Sequence, residues 1–297
     1  MQNLAFVGLG AMGAPMAGRL VAGFDLSVFD VRPENAEPLA GAGATSAGSP
    51  REAAAGADAL FLMVVNAEQV EAVLFGADGA AEALAPGGAV VLMSTVGPGP
   101  VRELDARLSE RRLRLLDAPV SGGVARAEKG DLLVMAGGPG DLFEELRPAL
   151  GAMGSTVVHC GAAAGDGQSV KLVNQLLCGV HIAAAGEALA YAEALGLDPA
   201  FVHETIRHGA AGSFMFEDRG RRMLDRAFLP PKSALDIFVK DMDLVRQAAG
   251  ERGFSTPLSD AAYRLYEAGS SLGFGGEDDS GILRVFEEGL GPSQETF

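Results

Sequence analysis

The chain has 297 residues, 48% of them hydrophobic, enough for two domains and a sizeable core and too many for a disordered protein. A net charge of −16 argues against nucleic acid or an anionic membrane as the main partner. Cys160 and Cys178 have neither disulfide-framework nor metal-ligand spacing, and the opening MQNLAFVGLGAMG lacks the basic head and long apolar run of a signal peptide, so a reducing cytoplasm is expected.

Residues 4–8, LAFVG, form an apolar run closed by glycine, as a buried parallel strand would. AMGAPMAGRLVAG follows with helical spacing, and DLSVFDVRP is a second strand closed by Asp30 and Pro33. ADALFLMVV, GGAVVLMST, LRLLDAPVS and GDLLVMAGG repeat the pattern with Ala-rich helical segments between most of them, and STVVHCG is the last strand. Strands alternating with helices imply an α/β fold with a mostly parallel, doubly wound sheet of the Rossmann type and right-handed crossovers. After Gly161 strand signals stop. AAAGDGQS is a small-residue loop, and helical patterns run through 168–195, 199–209, 215–226, 233–252 and 257–272. The expected organisation is a dinucleotide-binding domain over residues 1–163 and an all-helical substrate and oligomerisation domain over 164–297. A long helix beginning near Gln168 joins them. The tail EDDSGILRVFEEGLGPSQETF closes on a polar segment expected to fray.

GLGAMG sets Gly8, Gly10 and Gly13 in the G-x-G-x-x-G spacing, with Leu9, Ala11 and Met12 between them. The glycines permit a tight turn, close backbone approach to a pyrophosphate and helix–strand packing, and the helix start offers N–H donors. In a chain with 41 glycines an ordinary turn is the bland reading. What favours the dinucleotide is the strand before it, the helix after it, and an acid twenty residues past Gly10, Asp30, ending the second strand. A carboxylate there accepts hydrogen bonds from the adenosine ribose and repels a 2′-phosphate, so NAD is expected over NADP. Arg32, two residues on past Val31, could hold such a phosphate, stack on adenine, or be solvated. MVVN ends another strand, so Val64, Val65 and Asn66 are candidates to line the cofactor, although a helix cap at Asn66 explains them as well. Ser94 and Thr95 in VLMSTVGP stand at a strand's carboxyl end, where cofactors bind in open α/β sheets.

KLVNQLLCGVHIAAAGEAL, residues 171–189, reads as one apolar helix with no charge between Lys171 and Glu187. It opens on one of only four lysines: Lys129, Lys171, Lys232 and Lys240. Asn174 and Gln175 share the Lys171 face at three and four residues. Asn174, Gln175 and His181 disfavour a membrane span. The scarcity of charge along this helix suggests a homodimer or homotetramer. His181 lies near the Asn174 face without further ligands at metal spacing, so helix packing or a subunit contact is expected, and no metal. On residues alone, Lys171 is a first-turn lysine reaching for solvent.

FVGLGAMGAPMAGRL, DAPVSGG, GDGQSVKLVNQ and DIFVKDMDL, in that order along nearly the whole chain, resemble the β-hydroxyacid dehydrogenases. That family includes 3-hydroxyisobutyrate dehydrogenase and tartronate semialdehyde reductase. NQLLCGVHIAAAGEAL, GSFMFEDR, SALDIFVKD and GGEDDSG are similar to its L-threonate dehydrogenase branch, which oxidises four-carbon sugar acids. The resemblance implies that Lys171 is the catalytic acid/base, that Thr95 lies near the nicotinamide, and that Lys240 closes over the cofactor. It also implies that Ser121, Gly122 and Gly123 hold the substrate carboxylate. Residue chemistry agrees on Lys171. Removing or returning a hydroxyl proton suits an amine whose pKa is lowered by burial and a positive nicotinamide. Asn174 would orient it. Many relatives have Asn-Asn where this chain has Asn-Gln, so Gln175 is placed with the substrate instead. Arg126 stands where many relatives carry Gly; it either contacts a polar substrate or is a surface charge. EDDS, with its acids Glu277–Asp279 followed by Ser280, either reaches a neighbouring site in an oligomer or caps a helix start.

The expected activity is NAD-dependent oxidation of a small hydroxy acid, L-threonate or a relative first, 3-hydroxyisobutyrate or tartronate semialdehyde second. Imine reductases on this fold commonly replace the lysine, and 6-phosphogluconate dehydrogenases need a far longer helical domain. A non-catalytic dinucleotide-binding module could dispense with Lys171 and would add basic segments.

Overall fold

The computed structural model describes residues 1–288; the polar end of the tail, 289–297, lies outside them. Two compact units follow one another, Met1–Lys171 and Leu172–Phe297.

The first unit is built on nine strands: β1 Asn3–Val7, β2 Asp25–Phe29, β3 Thr45–Ser46, β4 Ala59–Leu62, β5 Ala89–Leu92, β6 Arg114–Asp117, β7 Val120–Ser121, β8 Leu133–Gly137 and β9 Thr156–Gly161. Their order is β3-β2-β1-β4-β5-β6-β8-β7, with β9 paired to β8. All pairs from β3 through β6 are parallel, whereas β8 runs antiparallel to β6 and β7. LRLLDAPVS, expected as one strand, is two: the interruption falls at Ala118 and Pro119, and proline cannot donate to a ladder.

Both faces of the sheet are covered, which is why its strands read as unbroken apolar runs. Successive side chains of β1 go to opposite sides. Leu4 and Phe6 enter one core with Met16 and Leu20, while Ala5 and Val7 enter the other with Leu60 and Leu62. Phe6 and Phe61, adjacent in the β1–β4 register, stack with centroids 6.1 Å apart. The helix after the Gly-rich loop is shorter than its pattern, Gly13–Gly18, continuing as turns to Phe24.

The long helix runs Asp166–Ala194 and starts two residues before Gln168, inside the GDGQS segment. Length and composition alone would let it cross a membrane, yet 44% of its most apolar window is buried within the protein. Among the described residues, the remaining α-helices of the second unit are Pro199–Ile206, Phe214–Leu224, Leu235–Gly250, Pro257–Gly269 and Leu283–Glu287. Their core gathers Ile182, Leu189, Phe238, Met242 and Tyr266. The buried Tyr266 hydroxyl donates to the Gly179 carbonyl at 2.9 Å, satisfying its polar end inside apolar surroundings.

Candidate active site

The Gly-rich loop is closed at both ends and open in the middle. Gly8 has φ +94°, and a Cβ there would run into the Met63 carbonyl; a Cβ on Gly13 would collide with the Gly8 carbonyl. A Cβ on Gly10 would meet nothing within 4 Å. Backbone is therefore presented at Gly10 with room for a ligand to approach, which fits the diphosphate of a dinucleotide. Leu9 is buried, Ala11 is exposed, and Met12 is the cap residue ahead of Gly13.

Asp30 braces this loop. One carboxylate oxygen accepts the Leu9 N–H at 2.6 Å; the other accepts the Arg32 N–H at 2.9 Å and the Asn35 amide at 3.1 Å. Val31 is exposed, and the Arg32 guanidinium stands 3.9 Å from Asp30 with most of its surface in solvent. At the end of β4, Asn66 caps the helix Ala67–Phe75 by accepting the Gln69 N–H at 2.9 Å. Gln69 answers by accepting the Val65 N–H at 2.9 Å. The adjoining Val64 donates its N–H to the Ser94 hydroxyl at 2.8 Å, so the ends of β4 and β5 are tied together beside half-buried Thr95.

The same place receives the start of the long helix. Gly165 has φ +93°, and a Cβ on Gly167 would strike the Met135 carbonyl and the Asp117 carboxylate, so both glycines are needed for the first turn to lie against the sheet. Asp117, fully buried at the end of β6, accepts the Gly165 N–H at 2.8 Å and the Gln168 N–H at 2.7 Å. Desolvation lifts its pKa to about 6 against the opposing pull of those two bonds. The Gln168 side chain, fully buried, accepts from the Val96 and Gly97 N–H groups at 3.0 and 3.1 Å and donates to the Ser94 carbonyl at 2.9 Å. Lys171 follows one turn later and is only 6% exposed. A lysine reaching for solvent is thereby ruled out.

Ser121 ends β7, and Gly122 and Gly123 follow with φ +142° and +71°, a turn that side chains would strain. Gly123 leads into the helix Val124–Lys129. Arg126 on that helix is partly exposed and pairs with Asp131 at 3.0 Å. In the second unit, Asn174 donates to the Gln175 side-chain oxygen at 2.9 Å. Gln175, buried, donates to Asp241 at 2.5 Å, and Lys240 reaches the other Asp241 oxygen at 2.5 Å. His181 is exposed. In Glu277–Asp279, Asp278 caps the short turn Asp279–Ile282 through Ser280, as a helix-start reading expects. Asp279 is buried in a two-pronged pair with Arg219, both bonds 3.0 Å, and Glu277 pairs with Arg284.

Sequence reasoning passed over three buried polar residues: Asp117, Gln168 and Asp241. The first two sit in segments that carry other candidate residues, and Asp241 stands directly beside Lys240 in DIFVKDMDL. A glutamine just after two glycines at a helix start was the one local signal available for Gln168.

Comparison with known proteins agrees with this geometry. Residues 3–161 match the NAD binding domain of 6-phosphogluconate dehydrogenase, and residues 165–286 match the NAD-binding domain of NADP-dependent 3-hydroxyisobutyrate dehydrogenase. The chain is 45% identical to an L-threonate dehydrogenase of Cupriavidus necator, over 96% of each protein. It is 35% identical to an NAD-dependent L-serine dehydrogenase of Pseudomonas aeruginosa, over 97% of this chain and 98% of that one. A crystal structure described as 3-hydroxyisobutyrate dehydrogenase from Salmonella typhimurium superposes with a TM-score of 0.90 at 41% identity, covering 96% of this chain and all of that one. With a Gly10 loop shaped for a dinucleotide, a buried lysine one turn past Gln168, and relatives matched end to end, the chain belongs to the β-hydroxyacid dehydrogenase family and is an NAD-binding hydroxyacid dehydrogenase.

Proposed function

We propose that the chain oxidises L-threonate, or a closely related four-carbon sugar acid, with NAD preferred over NADP. The observation that carries the mechanism is the burial of Lys171 on a helix start fixed against the carboxyl ends of β5 and β6. Similarity to L-threonate dehydrogenases over nearly the full length supports the substrate.

Oxidising an alcohol removes a proton from oxygen and a hydride from carbon. NAD, when bound, accepts the hydride. Lys171 in its amine form takes the hydroxyl proton, and returns it when the reaction runs backwards. Asn174 orients the lysine and the substrate oxygen without adding charge. The Ser121 hydroxyl and the Gly122 and Gly123 N–H groups hold the carboxylate. Gln175 contributes to the sugar-acid hydroxyls, while the bond to Asp241 keeps its amide in one orientation. Arg126 faces the polar end of the substrate only if it leaves Asp131. Gly8–Gly13, Asp30–Arg32, Val64–Asn66, Thr95 and Lys240 serve the cofactor.

Residues 1–163 supply most of the cofactor contacts together with the carboxylate turn at Ser121–Gly123, and residues 164–297 supply Lys171, Asn174 and Gln175 for the substrate, Lys240 for the cofactor, and the assembly surface. Exposed Val173, Leu177 and Tyr191 on one helix support a homodimer or homotetramer. Reliance on an intracellular cofactor supports a cytoplasmic setting.

The test is steady-state turnover of L-threonate, its uncharged alcohol analogue and 3-hydroxyisobutyrate, with Lys171→Ala and Lys171→Arg measured alongside. L-threonate is expected to be preferred, the alcohol to be poor, and Lys171→Ala to lose about 10² to 10⁴ in rate with NAD affinity intact. Lys171→Arg should not recover it, because guanidinium does not give up its proton near neutral pH. Equal turnover of acid and alcohol removes the carboxylate anchor. A preference for 3-hydroxyisobutyrate removes the substrate and leaves the reaction.

A further inference from the structure

We propose that Gln168 is a positioning residue for catalysis, acting through Lys171. It rests on the reading of Lys171 as the acid/base group. Gln168 is fully buried, and each functional atom of its amide is used: the oxygen takes two N–H groups of residues 96 and 97, and the nitrogen gives to the carbonyl of residue 94. Its own backbone N–H is held by Asp117. One amide therefore joins the strand-end loop carrying Thr95 to the helix turn carrying Lys171, with Asp117 fixing the same turn from β6.

The arrangement is more than a helix cap. A cap needs one acceptor for the orphan N–H groups of the first turn, and Asp117 supplies it. The Gln168 side chain points away from its own helix and satisfies the backbone of another segment. That segment bends at Gly97, φ +85°, beside the two N–H groups that the amide holds. Removing the amide leaves two N–H groups and a carbonyl without this partner and loosens the loop against the turn. A displacement of about 1 Å at a reacting group costs on the order of 10² in rate.

The experiment is a double-mutant cycle on the full chain, with NAD and whichever of L-threonate or 3-hydroxyisobutyrate the unmodified protein turns over. Gln168→Met keeps length and volume and loses the three side-chain hydrogen bonds while the backbone bond to Asp117 remains. It is expected to lower kcat by about 10²-fold, with NAD affinity within about twofold. Gln168→Glu keeps the acceptor for Val96 and Gly97 and, with its carboxyl protonated, a donor for the Ser94 carbonyl, so in that form it should recover about tenfold of that loss. It replaces Gln168→Met in the cycle if that variant does not fold. A residue that works through Lys171 has nothing left to position once the lysine is gone, so adding either change to Lys171→Ala should leave kcat unaltered. Normal kcat in the single variants, or a loss that multiplies with that of Lys171→Ala, overturns the proposal while the role of Lys171 stands. If Lys171→Ala itself turns over normally, the role of the lysine falls and the proposal with it.

Discussion

Asp30 braces the Gly-rich loop, and the ribose role proposed for it requires that its lone pairs be divided. Leu9, Arg32 and Asn35 take three hydrogen bonds, which leaves about one acceptor direction for a ribose hydroxyl. The charge still repels a 2′-phosphate. Asp30→Asn removes that repulsion beside exposed Arg32, but turns a donor toward one of the backbone N–H groups. We expect the ratio of kcat/KM for NAD to that for NADP to fall, with KM for NAD rising a few-fold as the loop loosens. An unmodified protein that prefers NADP in the same assay would show that Asp30 does not govern the choice. The acid's position was legible twenty residues past Gly10. Its grip on Leu9 was not, because no local pattern announces a bond to a backbone N–H 21 residues away. Gln168 and Asp117 were hidden for the same reason, their partners lying 48 to 74 residues distant.

At the scale of elements, two segments remote in sequence are joined by buried charge. Arg219 on the helix Phe214–Leu224 forks onto Asp279, which starts the turn before the last described helix. Burial opposes the charge on Arg219, but Asp279 and Asp218 overrule it and raise its pKa above the ordinary value. Burial also leaves the Asp279 carboxyl above the usual carboxylate range despite Arg219. Arg219→Ala strands a buried carboxylate and should cost about 3–5 kcal/mol, whereas Arg219→Met, with Asp279→Leu to remove the partner, should be far milder. Urea unfolding with an unchanged m-value checks both. Equal losses would mean that volume rather than charge holds the segment. Apolar runs and helical periods disclosed most elements in chain order. Strand direction was less legible: a buried strand shows the same run whether parallel or antiparallel, so the reversal of β8 left no mark. The two-residue strand β3 is too short to carry a period.

For the whole molecule, pH reports on one anchor. Asp117 has a carboxyl raised from about 3.8 to about 6 by burial, so the folded chain holds that proton more tightly than the unfolded one. Its contribution to stability is complete below about pH 4 and is lost as pH rises through 6, by about 3 kcal/mol for a shift of this size. Asp278 acts in the opposite direction. Burial works against it, but Ser280, the Lys232 N–H and Arg222 hold its carboxyl below the usual range, so its support is lost on acidification below about 4. Comparing the unmodified protein with Asp117→Asn isolates the first group. The difference in their unfolding free energies should shrink from pH 4 to pH 6.5 and be level above it; a difference independent of pH would mean that Asp117 stays ionised throughout.

The scarcity of lysine has a use in protein chemistry. Of the four side-chain amines, Lys129 and Lys232 are exposed, Lys240 is partly covered beside Asp241, and Lys171 is nearly sealed. An acylating reagent therefore meets a short ladder: the α-amino group and two outer lysines first, then Lys240, then Lys171. Each addition is one fixed mass increment on the intact chain. The final, slowest step then times how often the helix start opens to solvent, with no probe introduced and no residue replaced.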